Sequence, residues 1–239
     1  YKYLLENCTL AVLSRETDDR GEILSFKHRL ESEDGAHIRL IEHEPLPMSS
    51  AEIRARLPKA EGAELLDDGV YSLIIKNRWY GAEPELRWLR EKVRPYLTEK
   101  RARHVAGCEE QAVKLARRWG ADVYEAAEAG ILHDITKKLS DEEQLIMCDK
   151  YGIILDAAER RNPRILHART GAALARELFG IPDGIYSAIR WHTTGKPDMS
   201  LMEKIIYLAD FTEPTRDFEG VEPLRKLCFE DIDRAMELG

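Results

Sequence analysis

The stretch ILHDITK at residues 131–137 decides how this sequence is interpreted. It continues an alanine-rich, apolar segment typical of a buried helix, yet it places His133 beside Asp134. A charged group inside a protein costs free energy unless it is paired or bound to a metal ion. One such dipeptide is weak evidence. Its meaning depends on whether other histidines and carboxylates take similar positions in the chain.

Other polar residues repeat this arrangement in the second half of the chain. They extend apolar stripes at the i, i+3, i+4 and i+7 spacing of a buried helix face, as His104 does with Cys108 and Ala112. The residues in such positions, drawn from five predicted helices, are His104, His133, Asp134, His167, His192 and Asp210.

A single residue of this kind is more often a core side chain whose hydrogen bond is satisfied within the protein than a metal ligand. Six of them without a common partner would each cost a few kcal/mol to bury. Imidazole and carboxylate groups without thiolate suit iron, manganese, cobalt or zinc, and open coordination positions favour catalysis. Metal binding is therefore the stronger interpretation.

The composition limits the kinds of protein to consider. With 239 residues, 44% hydrophobic and 33% charged, the chain has the composition of a globular protein. A formal net charge of -8 argues against a nucleic-acid partner. No apolar run approaches the roughly 20 residues of a membrane span. Four scattered cysteines predict reduced thiols and a cytoplasmic location, and a first residue other than methionine predicts a piece of a longer protein.

The first part of the chain has β-type periodicity. Residues 1–47 contain two short runs of this kind, LAVLS (10–14) and HIRLIEHE (37–44), and polar loops are predicted between them. From about Ser49 the pattern becomes helical, and it continues nearly to the end of the chain.

Interruptions of the helical pattern define the domains. GAEPE (81–85) is typical of a linker, with Pro84 at the first position of the next helix. Later breaks fall at Pro95, Gly120, Asn162-Pro163, Gly180-Ile181-Pro182 and Gly195-Lys196-Pro197. We therefore predict a mainly α fold, with a partial α/β segment at residues 1–80 and a helical bundle at residues 84–239.

Residues 100–216 resemble the HD superfamily of metal-dependent phosphohydrolases. The resemblance is strongest to its YqeK-type branch, the bacterial symmetrical bis(5′-nucleosyl)-tetraphosphatases. The motifs are KRARHVAGCEEQAVKLA (100–116), AGILHDITK (129–137), LHARTGAALA (166–175) and RWHTTGKPDMSLMEKIIYLADFTEPTR (190–216). The HTTGKPxM segment followed by ADxxEPxR is the most specific part. Stringent-response hydrolases are less similar, since they carry an acidic pair after HD where ITKK stands here.

This resemblance implies a metal centre and its ligands. One metal ion is expected on His104, His133, Asp134 and Asp210. A second is expected on His167 and His192, with Asp134 as the bridge. The expected metal is iron, with manganese, cobalt or zinc as alternatives. Two ions about 3.5–4 Å apart can activate water and neutralise a polyphosphate together.

The same resemblance assigns catalysis and phosphate binding. The catalytic residues are expected to be His133, Asp134, His192 and Lys196. Residues beside the ligands can supply the cations and donors that a phosphoryl group needs. Those expected to bind the nucleotide are Lys137, Arg169, Thr193, Thr194 and Arg216, although each one alone is more often a surface residue.

The first 80 residues resemble the C-terminal part of nicotinate-nucleotide adenylyltransferase, a Rossmann-like enzyme of NAD biosynthesis. PMSSAEIRARL (47–57) followed by DDGVYSLIIKNRWY (67–80) carries the resemblance. It implies phosphate binding by Ser49, Ser50 and Arg54 at a helix N-terminus. A simple helix cap is an equal alternative. The segment lacks the family's early phosphate loop, and Ala51 stands in place of the usual threonine.

We therefore expect an enzyme that hydrolyses diadenosine tetraphosphate to two ADP. One alternative is a phosphohydrolase of another nucleotide. The other is an HD module that binds nucleotide to regulate a fused adenylyltransferase. The expected partner is a nucleotide substrate, with neither nucleic acid nor membrane, and a homodimer is left open.

Overall fold

The structure is a computed structural model that describes residues 2–14, 20–42 and 48–239. It contains two compact units, Tyr1–Arg54 and Ala55–Gly239. The predicted mainly α fold with a small α/β segment is confirmed. All four cysteines are free. In the described part of the chain, no helix has both the length and the apolar character to cross a membrane.

The first unit contains a parallel pair of strands. β1 (Thr9–Leu13) pairs with β2 (His37–Ile41) in the register Thr9↔His37 to Leu13↔Ile41. This confirms the two predicted strands, although positions 43 and 44 of the second predicted run lie outside the described residues. The remaining elements are α1 (Lys2–Asn7), α2 (Arg20–Asp34) and most of α3 (Ser50–Arg56), whose last two residues, Ala55 and Arg56, belong to the second unit.

The prediction of loops alone between the strands was wrong, because α2 lies there. Parallel strands need a long crossover, usually helical. The segment is rich in helix-forming Glu, Leu, Lys and Arg, but none of its residues is buried. Its apolar periodicity was therefore too weak to indicate a helix.

The start of α3 supports the simpler of two interpretations. The Ser49 hydroxyl accepts a hydrogen bond from the Glu52 amide at 3.2 Å, and the Glu52 carboxylate accepts one from the Ser49 amide at 2.6 Å. This reciprocal pair is a capping box. Phosphate binding by Ser49, Ser50 and Arg54 remains a prediction.

The second unit is a helical bundle. Its helices are α4 (Asp68–Asn77), α5 (Leu86–Val93), α6 (Glu99–Trp119), α7 (Val123–Leu132), α8 (Asp141–Lys150), α9 (Ala157–Arg161), α10 (His167–Phe179), α11 (Asp183–Trp191), α12 (Leu201–Thr212), α13 (Val221–Glu230) and α14 (Ile232–Leu238). α6 packs against α7 and α12, while α11 packs against α10 and α12. The predicted breaks at Pro95, Gly120, Gly180 and Gly195 lie between these helices.

Two glycines allow close approaches between elements. A Cβ atom on Gly130 would lie 2.8 Å from the Glu109 Cα, so this glycine lets α7 approach α6. Gly180 ends α10 with a φ of 58°, and a Cβ atom there would lie 2.2 Å from the Lys76 carbonyl oxygen. Side chains in either place would push the helices apart.

The segment before α5 belongs to the core of the helical unit. Leu57, Tyr71 and Ile75 are fully buried in the same apolar cluster as Leu89 of α5. Along the chain, the boundary between the compact units therefore lies between residues 54 and 55. The predicted domains, 1–80 and 84–239, remain a prediction.

The predicted place of Pro84 was wrong by two residues. α5 begins at Leu86 with Glu85 as its N-cap. The Glu85 amide donates a hydrogen bond to the Tyr71 hydroxyl at 2.9 Å, and the Glu85 carboxylate accepts one from the Ala63 amide at 2.7 Å. These bonds fix the turn before the helix.

Candidate metal centre

Six ligand-type residues converge from separate helices of the bundle. His104 lies within α6, His167 begins α10, and Asp210 lies near the end of α12. His133 and His192 are the C-caps of α7 and α11, and Asp134 follows in the turn after α7. The four histidines and Asp134 are buried, while the side chain of Asp210 is 21% exposed. The chain therefore gathers them at helix ends and on inward faces.

Asp134 lies at the middle of this cluster, with one carboxylate oxygen towards each pair of histidines. Its Oδ2 is 3.6 Å from Nε2 of His104 and 3.5 Å from Nε2 of His133. Its Oδ1 is 3.4 Å from Nε2 of His167 and 3.6 Å from Nε2 of His192. This carboxylate can therefore bridge two neighbouring metal positions.

Asp210 completes the first of these positions. Its Oδ1 lies 3.0 Å from Nε2 of His104 and 4.0 Å from Nε2 of His133. Ligand atoms within 4.8 Å of one another form three overlapping sets: His104, His133 and Asp134; His133, His192 and Asp210; and Asp134, His167 and His192. The geometry thus brings together every residue of the predicted ligand set.

Hydrogen bonds fix how three of the imidazole rings face the centre. The Nδ1–H groups of His133, His167 and His192 donate to backbone carbonyls three residues earlier, at 2.6–2.7 Å. A carbonyl can only accept, so each Nδ1 carries the proton. In the neutral form of each ring, Nε2 then directs its lone pair at the centre, which is how ligating histidines are normally held.

The donor set fits a cation. Nε2 of His104 lies 3.3 Å from Nε2 of His133, and Nε2 of His167 lies 3.2 Å from Nε2 of His192. Two lone pairs at this distance repel each other, so either a proton or a metal ion is needed between them. Nitrogen and carboxylate oxygen suit a divalent transition metal, so the residues present fit the ion that the fold implies.

The electrostatics of the cluster agree with this fit. Burial, helped by the neighbouring His192, lowers the pKa of His167 to about 3, which keeps this ring neutral and able to ligate. Burial alone would raise the pKa of Asp134, yet the charge and hydrogen bond of His133, helped by His192, hold it well below its usual range. Burial alone would lower the pKa of His133, yet its charged neighbours raise it well above its usual value, so without a metal ion this ring carries the positive charge that Asp134 balances. The carboxylate is therefore negative, as a bridging ligand must be.

Comparison with known proteins is consistent with this geometry. The HD domain model matches residues 101–215. A symmetrical bis(5′-nucleosyl)-tetraphosphatase of Bacillus subtilis is 43% identical over 148 residues, which cover 60% of this chain and 77% of the relative. The chain belongs to this family of HD-domain proteins. A protein of the same name from Halalkalibacterium halodurans is 41% identical, with 60% and 77% coverage.

A solved structure and a third relative are also similar to this chain. The crystal structure of a Clostridium acetobutylicum protein, described as a predicted HD superfamily hydrolase involved in NAD metabolism, matches with a TM-score of 0.61 and 40% identity. The match covers 63% of this chain and 80% of that one. A probable nicotinate-nucleotide adenylyltransferase/Ap4A hydrolase of Mycoplasma pneumoniae is 28% identical over 63% of this chain but only 45% of its own length.

Three of the predicted nucleotide-binding residues contact ligand-type residues of the candidate centre. Lys137 Nζ and the Thr193 hydroxyl each lie 3.1 Å from Nε2 of His167. Arg216 Nη2 lies 2.6 Å from Oδ1 of Asp210. Burial lowers the pKa of Lys137, although the nearby Asp134 opposes that effect. These residues surround the centre with donors.

The other three predicted residues have different partners. Lys196 Nζ lies 2.9 Å from the Glu203 carboxylate, Thr194 donates to the Gly195 carbonyl at 3.2 Å, and Arg169 pairs with Glu159 at 2.6 Å. Within the described ranges, none of the three contacts the six ligand-type residues directly. The predicted catalytic role of Lys196 and the predicted nucleotide binding by Thr194 and Arg169 stay predictions.

Two residues that sequence reasoning missed also belong to the centre. Arg101 Nη1 donates to Oδ2 of Asp134 at 2.7 Å, and Glu213 accepts the Nδ1–H of His104 at 3.1 Å. Arg101 lies three residues before His104 on α6, and Glu213 lies three residues after Asp210, directly after the end of α12. Spacing of i, i+3 from His104 and Asp210 would have indicated both.

Proposed function

We propose that this chain is a divalent-metal-dependent hydrolase that cleaves diadenosine tetraphosphate symmetrically into two ADP. The observation that carries the proposal is the division of the Asp134 carboxylate between two histidine pairs, at 3.4–3.6 Å. The similarity to two symmetrical bis(5′-nucleosyl)-tetraphosphatases supports the same substrate.

The ligand assignment follows from these contacts. His104, His133, Asp134 and Asp210 would hold one ion, and His167, His192 and Asp134 a second. Iron is our first choice, with manganese, cobalt or zinc as alternatives. Bound there, divalent metal would supply Lewis-acid activation of water and neutralise phosphate charge. Imidazole with carboxylate suits all these metals, so the ligand set does not select among them.

The surrounding residues act on the substrate and on the ligands. Lys137 and Arg216 lie beside opposite members of the ligand set, at His167 and Asp210 respectively. Their positive charges are placed to receive a polyphosphate and to offset charge that develops on the leaving ADP. Arg101 and Glu213 hold Asp134 and His104 in place.

The side chains at the centre favour direct attack by water. Cys108 is the nearby thiol, but it is fully buried, and burial raises its pKa, so it is a poor nucleophile. The Thr193 hydroxyl lies 3.1 Å from Nε2 of His167, but the same Nε2 faces Asp134 at 3.4 Å and would be taken up by the second ion, so it would not be free to accept the hydroxyl proton. A covalent intermediate on the protein is therefore not required.

The deciding experiment is a product analysis. The full chain, loaded with manganese or iron, is incubated with a panel of mononucleotides and dinucleoside polyphosphates. We expect diadenosine tetraphosphate to give ADP alone. ATP with AMP would contradict symmetrical cleavage. Turnover confined to a mononucleotide would favour the other phosphohydrolase, and nucleotide binding without turnover would favour the regulatory module.

A further inference from the structure

Arg225 of α13 lies outside the ligand set, yet it is bonded to the backbone of the turn that follows α12. Its Nε donates to the Thr212 carbonyl at 2.8 Å. Its Nη2 donates to the Glu213 carbonyl at 2.8 Å and to the Arg216 carbonyl at 2.7 Å. One guanidinium therefore holds three carbonyls of residues 212–216, the α12 turn.

The α12 turn carries two side chains that contact ligand-type residues of the candidate centre. The Glu213 carboxylate accepts the Nδ1–H of His104 at 3.1 Å. The Arg216 guanidinium pairs with the Asp210 carboxylate at 2.6 Å. Both side chains start from the same short piece of backbone, so a change in the conformation of this turn would move both of them.

Hydrogen bonds within the α12 turn do not attach it to another helix. The Arg216 amide donates to the Glu213 carbonyl at 3.0 Å, and the Thr215 amide donates to the Glu213 carboxylate at 2.6 Å. The last carbonyls of a helix lack partners within that helix, and a basic side chain can supply the missing donors. Arg225 does so for the Thr212 carbonyl and joins the turn to α13.

The Arg225 side chain is suited to holding backbone. It is only 20% exposed, whereas Glu222, its ion-pair partner, is 76% exposed. Ion pairs with such exposed groups contribute little free energy. Both protons of Nη2 and the proton of Nε are used by the α12 turn. A guanidinium offers these donors in a fixed fork, which a lysine cannot reproduce.

We propose that Arg225 is a positioning residue of the metal centre. It holds the α12 turn in the conformation that presents Glu213 to His104 and Arg216 to Asp210. The centre thus depends on α13, which lies beyond residues 101–215 of the HD domain match. This inference rests on the proposed function, because it takes His104 and Asp210 as ligands of the first ion.

The test measures manganese affinity of the full chain by competition with a chelator. Arg225→Ala should weaken binding of the first ion about tenfold, as expected when a residue that supports a ligand is lost. Arg225→Lys keeps a positive charge but not the fork, so its affinity should lie between those of wild type and Arg225→Ala. Equal affinities in wild type and Arg225→Ala would overturn the proposal.

A double-mutant cycle separates positioning from general destabilisation. If Arg225 acts through the turn that carries Glu213, its loss should matter less once the contact of Glu213 with His104 is gone. We expect Arg225→Ala to weaken manganese binding about tenfold in wild type and less than about threefold in Glu213→Ala. Equal losses in both backgrounds would show independent effects and overturn the proposal.

Arg118 provides a matched control. Its Nε donates to the Phe229 carbonyl at 2.7 Å, so it also attaches α13 to the bundle through a backbone carbonyl, but one outside the α12 turn. Arg118→Ala should leave manganese affinity within about twofold of wild type, and thermal unfolding reports the structural cost of both variants. A loss of manganese affinity in Arg118→Ala as large as in Arg225→Ala would overturn the positioning role.

Two further outcomes keep the test clear. If Arg225→Ala does not fold, Arg225→Lys takes its place in the same cycle, and failure of that variant to fold would overturn the proposal, because Arg225 would then serve the fold. Hydrolysis of diadenosine tetraphosphate is measured on wild type separately. Absence of that hydrolysis with Arg225-dependent manganese affinity would refute the proposed function alone, and hydrolysis with Arg225-independent affinity would refute the positioning role alone.

Discussion

Arg101 Nη1 lies 2.7 Å from Oδ2 of Asp134, the oxygen that faces Nε2 of both His104 and His133. An arginine cannot lose its proton in a protein, so it holds one side of this carboxylate permanently. The other oxygen remains free for His167 and His192. Arg101 therefore fixes which oxygen serves which histidine pair.

The first prediction concerns Arg101. Arg101→Gln should lower kcat about 10- to 100-fold, the usual effect of losing a residue that orients a ligand. Total metal content, measured by elemental analysis, should fall by less than half because all six ligand-type residues remain. Arg103→Gln, a change on the same helix, is the control. A kcat equal to that of wild type would show that Asp134 needs no such restraint.

The second prediction concerns Asp134 itself. Asp134→Ala should abolish both metal binding and turnover, since this one carboxylate faces both histidine pairs. His167→Ala should be milder and retain one ion, because the first set of ligands stays complete. Metal analysis separates the two variants. Full metal content in Asp134→Ala would contradict the two-ion assignment.

The centre was more predictable than its surroundings. His104, Asp134 and His192 lie on inward helix faces or at helix ends, and periodicity with motif resemblance was enough to group them. The ion pair of Lys196 with Glu203, which lies buried on the next helix at 2.9 Å, was not predicted, and the catalytic role of Lys196 stays a prediction. Glu203 is also the acid of a capping box with Ser200, so sequence alone suggested a cap and no ion pair.

The first unit was harder to predict for a related reason. α2 has no buried residue, so its sequence lacks the apolar stripe from which a helix can be predicted. The boundary at residues 54 and 55 reflects the membership of Leu57 and Tyr71 in the same apolar cluster as Leu89, and such long-range association leaves no local signal. Helix propensity can predict the secondary structure of a segment, but tertiary packing determines which compact unit the segment belongs to.

The third prediction concerns the carboxylate that orients His104. The Nδ1–H of His104 donates to Glu213 at 3.1 Å, which raises the basicity of Nε2 as a ligand. Glu213→Gln should weaken the affinity of the first ion about tenfold, and Glu213→Ala should weaken it further. Competition with a chelator measures both. Equal affinities in wild type and Glu213→Ala would remove Glu213 from the metal centre.

The fourth prediction concerns the pH dependence of stability. Glu128 of α7 is fully buried and paired with Arg78, and burial raises its pKa from 4.5 to about 7 despite that pairing. A carboxyl whose pKa is higher in the folded state stabilises the fold below pH 4.5, and this contribution is lost as the pH rises through about 7. The loss amounts to about 3 kcal/mol.

Glu128→Gln tests this dependence. The free energy of unfolding of wild type, minus that of Glu128→Gln, should fall between pH 4.5 and pH 7 in urea titrations. Glu83→Gln is the control, because Glu83 pairs with the same arginine but its side chain is 45% exposed. A difference that stays constant with pH in the Glu128 variant would show that Arg78 keeps this carboxyl ionised.

The fifth prediction concerns His192, a proposed ligand of the second ion. His192→Ala removes an Nε2 that lies 3.6 Å from Asp134 Oδ1, and turnover should fall at least about 100-fold. Its Nδ1–H donates to the Ile189 carbonyl near the end of α11, and its Nε2 faces the other ligand-type residues, so the fold should survive the loss of the ring. Thermal unfolding of metal-free wild type and variant should therefore agree within a few degrees. A large drop in that transition would make the loss of turnover structural.

The same proposed mechanism predicts where the bond breaks. Water that attacks the β-phosphorus of one ADP unit forms one new P–O bond, and the bridging oxygen leaves with the other ADP. Lys137 and Arg216, at 3.1 Å from His167 and 2.6 Å from Asp210, are placed to offset the charge on that leaving group. When hydrolysis is carried out in water labelled with a heavy oxygen isotope, one ADP of each pair should gain a single heavy oxygen, as measured by mass spectrometry. Label on AMP, with ATP as the second product, would mean that the attack occurs at an outer phosphorus and that the polyphosphate lies in a different position on the centre.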